Sequence, residues 1–155
     1  DQVNDQPLLA EMPAGGHITA TKEIPELGVT EWLLDNGVRV VLKPTQFKND
    51  EIRFTAFSPG GHSRVDDDGY VAAYFADGIV QRSGVGAFSA VELQKKLAGK
   101  VVKVSPWIGA LEEGFSGGGS PQDAETLFQL VYLDFQTNHY LLFEVLLNSL
   151  SYQIF

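Results

Sequence analysis

With 155 residues, 44% of them hydrophobic and 11% aromatic, the chain is long enough for one domain with a buried core and too apolar for a disordered segment. A net charge of -9, from 20 acidic against 11 basic residues, repels phosphate backbones and argues against nucleic acid as a partner. No apolar run approaches the ~20 residues of a membrane span, and the absence of cysteine excludes disulfides and thiolate metal sites.

Residues 1–27 are polar, carry Pro7, Pro13, Pro25 and Gly15-Gly16, and show no sustained period, so they are expected to form a linker. They offer neither the basic start nor the apolar centre of a signal peptide. Order is expected from about residue 28, in a single domain running to 155. Thr30 to Asp35 and Val38 to Lys43 flank Asn36-Gly37, the dipeptide that suits a type I′ hairpin turn, and Pro44 ends the second strand. A third strand, Glu51 to Phe57, sets Ile52, Phe54 and Ala56 on one side and stops at Ser58-Pro59-Gly60-Gly61. Three antiparallel strands in succession are expected.

A helix is predicted from about Tyr70 to Arg82, with Asp66-Asp67-Asp68 placing negative charge at its N-terminal dipole. A second opens at Ser89, where S-x-x-E with Glu92 makes a capping box for Ala90 to Leu97, and Gly99 follows as a stop. Val101 to Ser105 and Leu111 to Phe115 read as strands, the latter fading into Gly117-Gly118-Gly119. Ser120-Pro121 starts a long helix that Asn138 is expected to break. Tyr140 to Gln153 reads as a last helix without a stop signal, so Phe155 is not expected to be the native end. This order predicts an α+β fold, a mainly antiparallel sheet with helices packed on one face.

His17, His62 and His139 lie in the linker, a loop and a helix boundary, with no i, i+4 pairing that would hold a metal. Three adjacent aspartates lack the spacing of a calcium loop, the glycine runs lack the Lys-Ser/Thr ending of a phosphate loop, and no serine has a G-x-S-x-G setting.

Three pieces, Leu34 to Pro44, Phe57 to Gly61 and Ser83 to Lys100, carry a resemblance. From Trp32 to about Ile154 the chain resembles the pitrilysin/insulinase family of zinc metallopeptidases, which includes bacterial zinc proteases and mitochondrial processing peptidases. It looks closest to the start of the second half of a bacterial member. The resemblance implies two homologous halves closing as a clamshell around a chamber, with zinc in the first half only. Laid on this chain, the family's H-x-x-E-H pattern places Tyr74, Asp77 and Gly78 at the ligand and base positions, one helix face at i, i+3 and i+4. Tyr74 is a poor zinc ligand, expected to pack in the helix–sheet interface instead, and Gly78 has no donor; Gln153, near the family's third ligand position, is a weak one.

No catalytic residue and no cofactor are therefore expected in this chain, with zinc expected in the catalytic half of the full-length protein. In the family, peptides bind as an added strand on a sheet edge in the catalytic half. The matching strand here spans about Val101 to Ile108, making Val104, Ser105 and Trp107 the candidate peptide-contacting edge, with Pro106 interrupting the ladder. The resemblance implies a non-catalytic domain that helps enclose and bind peptide, partnered by the catalytic half or a homologous subunit, in a bacterial periplasm. The second reading is a metal-free structural or assembly subunit of the same fold, and a third is an unrelated α+β binding module.

Overall fold

The computed structural model describes the backbone of residues 4–142 and 153–154 and the side chains of residues 4–137. Strand β1 (Ile18–Ile24) lies inside the stretch expected to be a linker and pairs antiparallel with β2 (Val29–Leu34), so the expectation of irregular chain fails over those seven residues. Periodicity misses β1 because six of its seven residues are exposed, which leaves no apolar alternation to read. Gly28, at φ +61°, closes the turn between the two strands.

Strand β3 (Arg39–Leu42) returns antiparallel beside β2. Their turn differs from the type I′ expectation. Gly37 N–H donates to the Leu34 carbonyl, Gly37 alone takes positive φ, and Leu34 N–H reaches the Val38 carbonyl, which is a three-residue loop of type I followed by a left-handed glycine. Asn36 keeps negative φ and its side chain instead accepts from Val38 N–H at 3.0 Å.

Strand β4 (Ile52–Pro59) is the third strand expected, but it does not lie against β3. A two-residue strand, β7 (Gln153–Ile154), comes between them, parallel to β3 and antiparallel to β4. Gln153 was expected to end a helix; residues 143–152 of that segment lie outside the described residues. With β5 (Val102–Ile108) and β6 (Glu112–Gly119), the described strands run β1-β2-β3-β7-β4-β6-β5 across one sheet.

Strand β6 continues through the glycines where the sequence suggests it fades. A Cβ at Gly117 would stand 2.1 Å from the Lys103 carbonyl oxygen, so the absence of a side chain is what lets β5 close onto β6.

Helices α1 (Asp67–Ser83), α2 (Ala90–Lys96) and α3 (Ala124–Leu142) complete the described elements. Ser89 forms the expected capping box, its Oγ accepting from Glu92 N–H while Glu92 accepts from Ser89 N–H at 2.9 Å. Ser120 caps a 3-10 turn, Pro121–Asp123, which leads into α3. Asn138 does not break α3, which continues to Leu142; in a helix interior asparagine costs a few tenths of a kcal/mol, to about 0.7, against alanine. Phe54, Phe115 and Leu127 form the core between sheet and α3, joined by Val102, Val104, Val131 and Phe135, and Leu127 is 0% exposed. Val80 of α1 makes a second cluster with Ile108 and Phe135. Phe54 and Ala56 turn to this layer while Arg53 and Thr55 stay exposed, which is the α+β arrangement the element order implies.

Candidate functional site

Helix α1 begins where Asp66 accepts the Gly69 N–H at 2.9 Å, with Asp67 and Asp68 in the first turn against the positive end of the dipole. Ala73 and Val80 face inward. Tyr74, expected in the helix–sheet interface, is instead 56% exposed, because it sits one residue around the helix from Ala73. Its ring stacks on His62 at 5.7 Å, and Tyr70, one turn earlier, meets the same imidazole edge-on at 5.5 Å.

His62 is held by the turn that follows β4. Gly61, at φ +67°, lies so close to the 109–112 loop that a Cβ would stand 2.3 Å from the Gly109 carbonyl oxygen, and His62 N–H donates to that oxygen at 2.9 Å. Gly61 N–H donates to Glu113 Oε2 at 2.9 Å. Glu113 is buried opposite Ser58, and burial pushes its carboxyl above the usual range although the Gly61 N–H and the charge of Arg64 oppose this. Ser58 Oγ and His62 Nε2 find no hydrogen-bond partner among the described residues. Sequence reading missed this cluster. The i, i+4 spacing of Tyr70 and Tyr74 was its one visible sign, since the approach of Glu113 to Gly61 spans 52 residues of chain.

The donor set on α1 does not fit zinc. Gly78 is exposed and carries no ligand atom, Asp77 Oδ1 accepts the Gly78 N–H at 2.6 Å, and Tyr74 spends its ring on His62. Among the described residues no three of His, Asp and Glu converge. His17 is exposed ahead of β1, His139 falls on α3, and Gln153 sits in β7.

Among the described strands, β5 lies at an edge of the sheet. Val101 and Lys103 turn their carbonyls to β6, so Val102, Val104 and Pro106 turn theirs outward. The Pro106 carbonyl accepts from the Gln81 side chain at 3.1 Å. Proline here removes an outward donor and no bond to β6, so the ladder it interrupts is that of a strand added outside β5. Val104 packs toward the helices, whereas Ser105 and Trp107 lie on the helix-free face, so the three candidate edge residues do not share a face. Along the outer edge runs a cavity of about 320 Å³ between β5, α2 and the end of α1. A larger cleft, about 1140 Å³, carries Lys48, Arg53, Lys100 and Lys103, but Glu51 pairs with Lys48 and Arg53, and Asp123 pairs with Lys100.

No family model matches the chain. A protein of Arabidopsis thaliana described as zinc protease PQQL-like is 33% identical over 131 residues, 84% of this chain. The periplasmic protease PqqL from Escherichia coli matches 86% of the chain with a TM-score of 0.77 at 22% identity. A mutant of the ferredoxin protease FusC, solved in complex with Arabidopsis ferredoxin, matches 88% with a TM-score of 0.71 at 24% identity. The chain belongs to the pitrilysin family. As a pitrilysin-family segment it spans 11% of the plant relative and 15% of each solved chain. The family and the α+β class expected from sequence both hold. No described helix is long and apolar enough to cross a membrane.

Proposed function

We propose that this pitrilysin-family chain is non-catalytic and helps to enclose and bind peptide substrate, while zinc and the hydrolytic chemistry belong to a catalytic half of the same protein or to a homologous subunit. The observation that carries this reading is the face of α1 where the family's metal motif falls. Its positions hold Tyr74, Asp77 and Gly78, one carboxylate without an imidazole, and Tyr74 is engaged with His62. With no imidazole at positions 74 and 78 to hold a metal-bound water, Asp77 is not placed as the base of that chemistry. What remains is a surface for peptide, and β5 provides one because an edge strand binds extended chain through its backbone. Val104 supplies outward backbone groups there, while Ser105 and Trp107 present side chains on the helix-free face.

Residues preceding β1 act in this reading as a connector to another part of a longer polypeptide. A bacterial periplasmic location is favoured by the fold match to a periplasmic protease, and cell fractionation tests it. The central test is metal analysis with a peptidase assay on the purified chain, expected to yield no stoichiometric zinc and no cleavage. One equivalent of tightly bound zinc, with cleavage lost on chelation, would overturn the proposal. Metal-free protein that also fails to bind any extended peptide would favour the structural-subunit reading.

A further inference from the structure

Among the described residues, the outer edge of β5 is open over a short and defined length. At its C-terminal end Gln81 already occupies the Pro106 carbonyl, and proline offers no N–H, so an added strand finds no partner there. At its N-terminal end Val101 is turned inward, bonded to Ser120 N–H at 2.8 Å. Between these limits Val102 and Val104 face away from β6, each with an N–H and a carbonyl directed along the cavity.

The cavity beside this edge has an apolar wall. Val85, Leu93, Leu97 and Leu130 line it opposite Val102 and Val104. Its volume, about 320 Å³, lies at the low end for pockets that take small ligands. A strand laid against β5 keeps step with it, so side chains beside Val102 and Val104 turn toward the helices while the intervening one turns to the helix-free face beside Ser105. Backbone pairing is indifferent to sequence; the wall is not. Gln81, Gln94 and the buried Asp134 also line the cavity, so an acidic side chain directed into it would lose hydration beside a carboxylate.

Resting on the peptide-binding reading above, we infer that this edge is an aliphatic subsite: it takes a short extended peptide over Val102–Val104, seating one leucine-like side chain against Val85, Leu93, Leu97 and Leu130. The site selects by alternation, aliphatic toward the helices and small or polar toward Ser105, with Gln81 and Pro106 setting where the added strand must end. Residue pairs outside Val102–Val104 contribute little.

Fluorescence anisotropy on the full chain tests this with a labelled Thr-Leu-Thr-Leu-Thr peptide, its Thr-Asp-Thr-Asp-Thr counterpart, and two forms of the leucine peptide N-methylated on alternate residues. The leucine peptide is expected to bind at least about tenfold more tightly than the aspartate peptide, and one methylated form is expected to lose about tenfold while the other does not. Val104→Pro, which removes an outward N–H, is expected to weaken the leucine peptide, and Val104→Ile to retain it. The methylated peptides read the edge without altering the protein, so a misfolded proline variant does not decide the outcome. Equal binding of the leucine and aspartate peptides, with one methylated form still losing affinity, overturns the aliphatic subsite and leaves the peptide edge intact. Failure of every peptide to bind overturns both.

Discussion

The two edge strands of this sheet solve the same problem in opposite ways. β1 is exposed on both faces, carries Lys22 and Glu23, and shifts register between Ile18 and Ala20, and charge and irregularity of this kind discourage another chain from pairing. β5 is roofed by α1 and α3, which pack against it through Val80 and Ile108 and through Val102, Val104 and Val131. It is closed at one end by Gln81 and Pro106 but left with the outward N–H and carbonyl groups of Val102 and Val104 facing a cavity with an apolar wall. The comparison teaches that edge position does not by itself make a binding strand. The surroundings of the edge decide, and in this chain they differ at opposite ends of one sheet.

The largest expected effect concerns the support beneath β5. Leu127→Ala empties a fully buried site between α3 and the sheet and is expected to cost about 2–5 kcal/mol in chemical denaturation. A cost below about 1 kcal/mol would mean that α3 does not hold the β5 side rigid. Next is the wall of the cavity. Ser89→Ala removes the capping box of α2 and is expected to cost about 1 kcal/mol, with faster hydrogen exchange confined to α2. Uniformly faster exchange across the sheet would contradict a local role for that cap.

A pH experiment addresses the end of β5, where Ile108 pairs with Glu113. Burial raises the Glu113 carboxyl, so the folded chain holds its proton more tightly than the unfolded one. The contribution is therefore fully present below the unfolded value near 4.5 and is lost as pH rises through the higher folded value. Glu113→Gln is expected to become more stable relative to the parent between pH 4 and pH 7, read from urea midpoints. A difference that stays constant with pH removes Glu113 as the titrating group. The smallest effect belongs to β1: Lys22→Ala is expected to change stability by less than about 0.5 kcal/mol and to leave peptide binding as it was. A loss of binding there would erase the distinction between the two edges.

Local chemistry was legible wherever a few neighbouring residues carry the whole instruction. Ser89 with Glu92 caps α2, because those partners lie three residues apart, and Asp66 to Asp68 were legible as charge at the start of α1, though not Asp66 as its cap. The hairpin at Asn36-Gly37 was legible as a turn, yet its type was not, since the choice between loop lengths depends on how β2 and β3 twist together. Tyr74 was read as an interface residue and is exposed instead, because its fate depends on His62, brought near by the turn after β4. The linker reading failed over β1 because a strand wetted on both faces gives no alternation.

What the sequence by itself determined is the capped start of α2, the turn at Asn36-Gly37, the family, and the ligand-poor face of α1, all properties of residue identity and short spacing. Only the tertiary structure decided that β7 separates β3 from β4, that Gly117 lets β5 approach β6, that Glu113 is buried against Gly61, and that β5 ends the sheet beside an apolar cavity. These depend on pairings between residues far apart in the chain. Their free energy comes from burial and close approach, which no local propensity encodes.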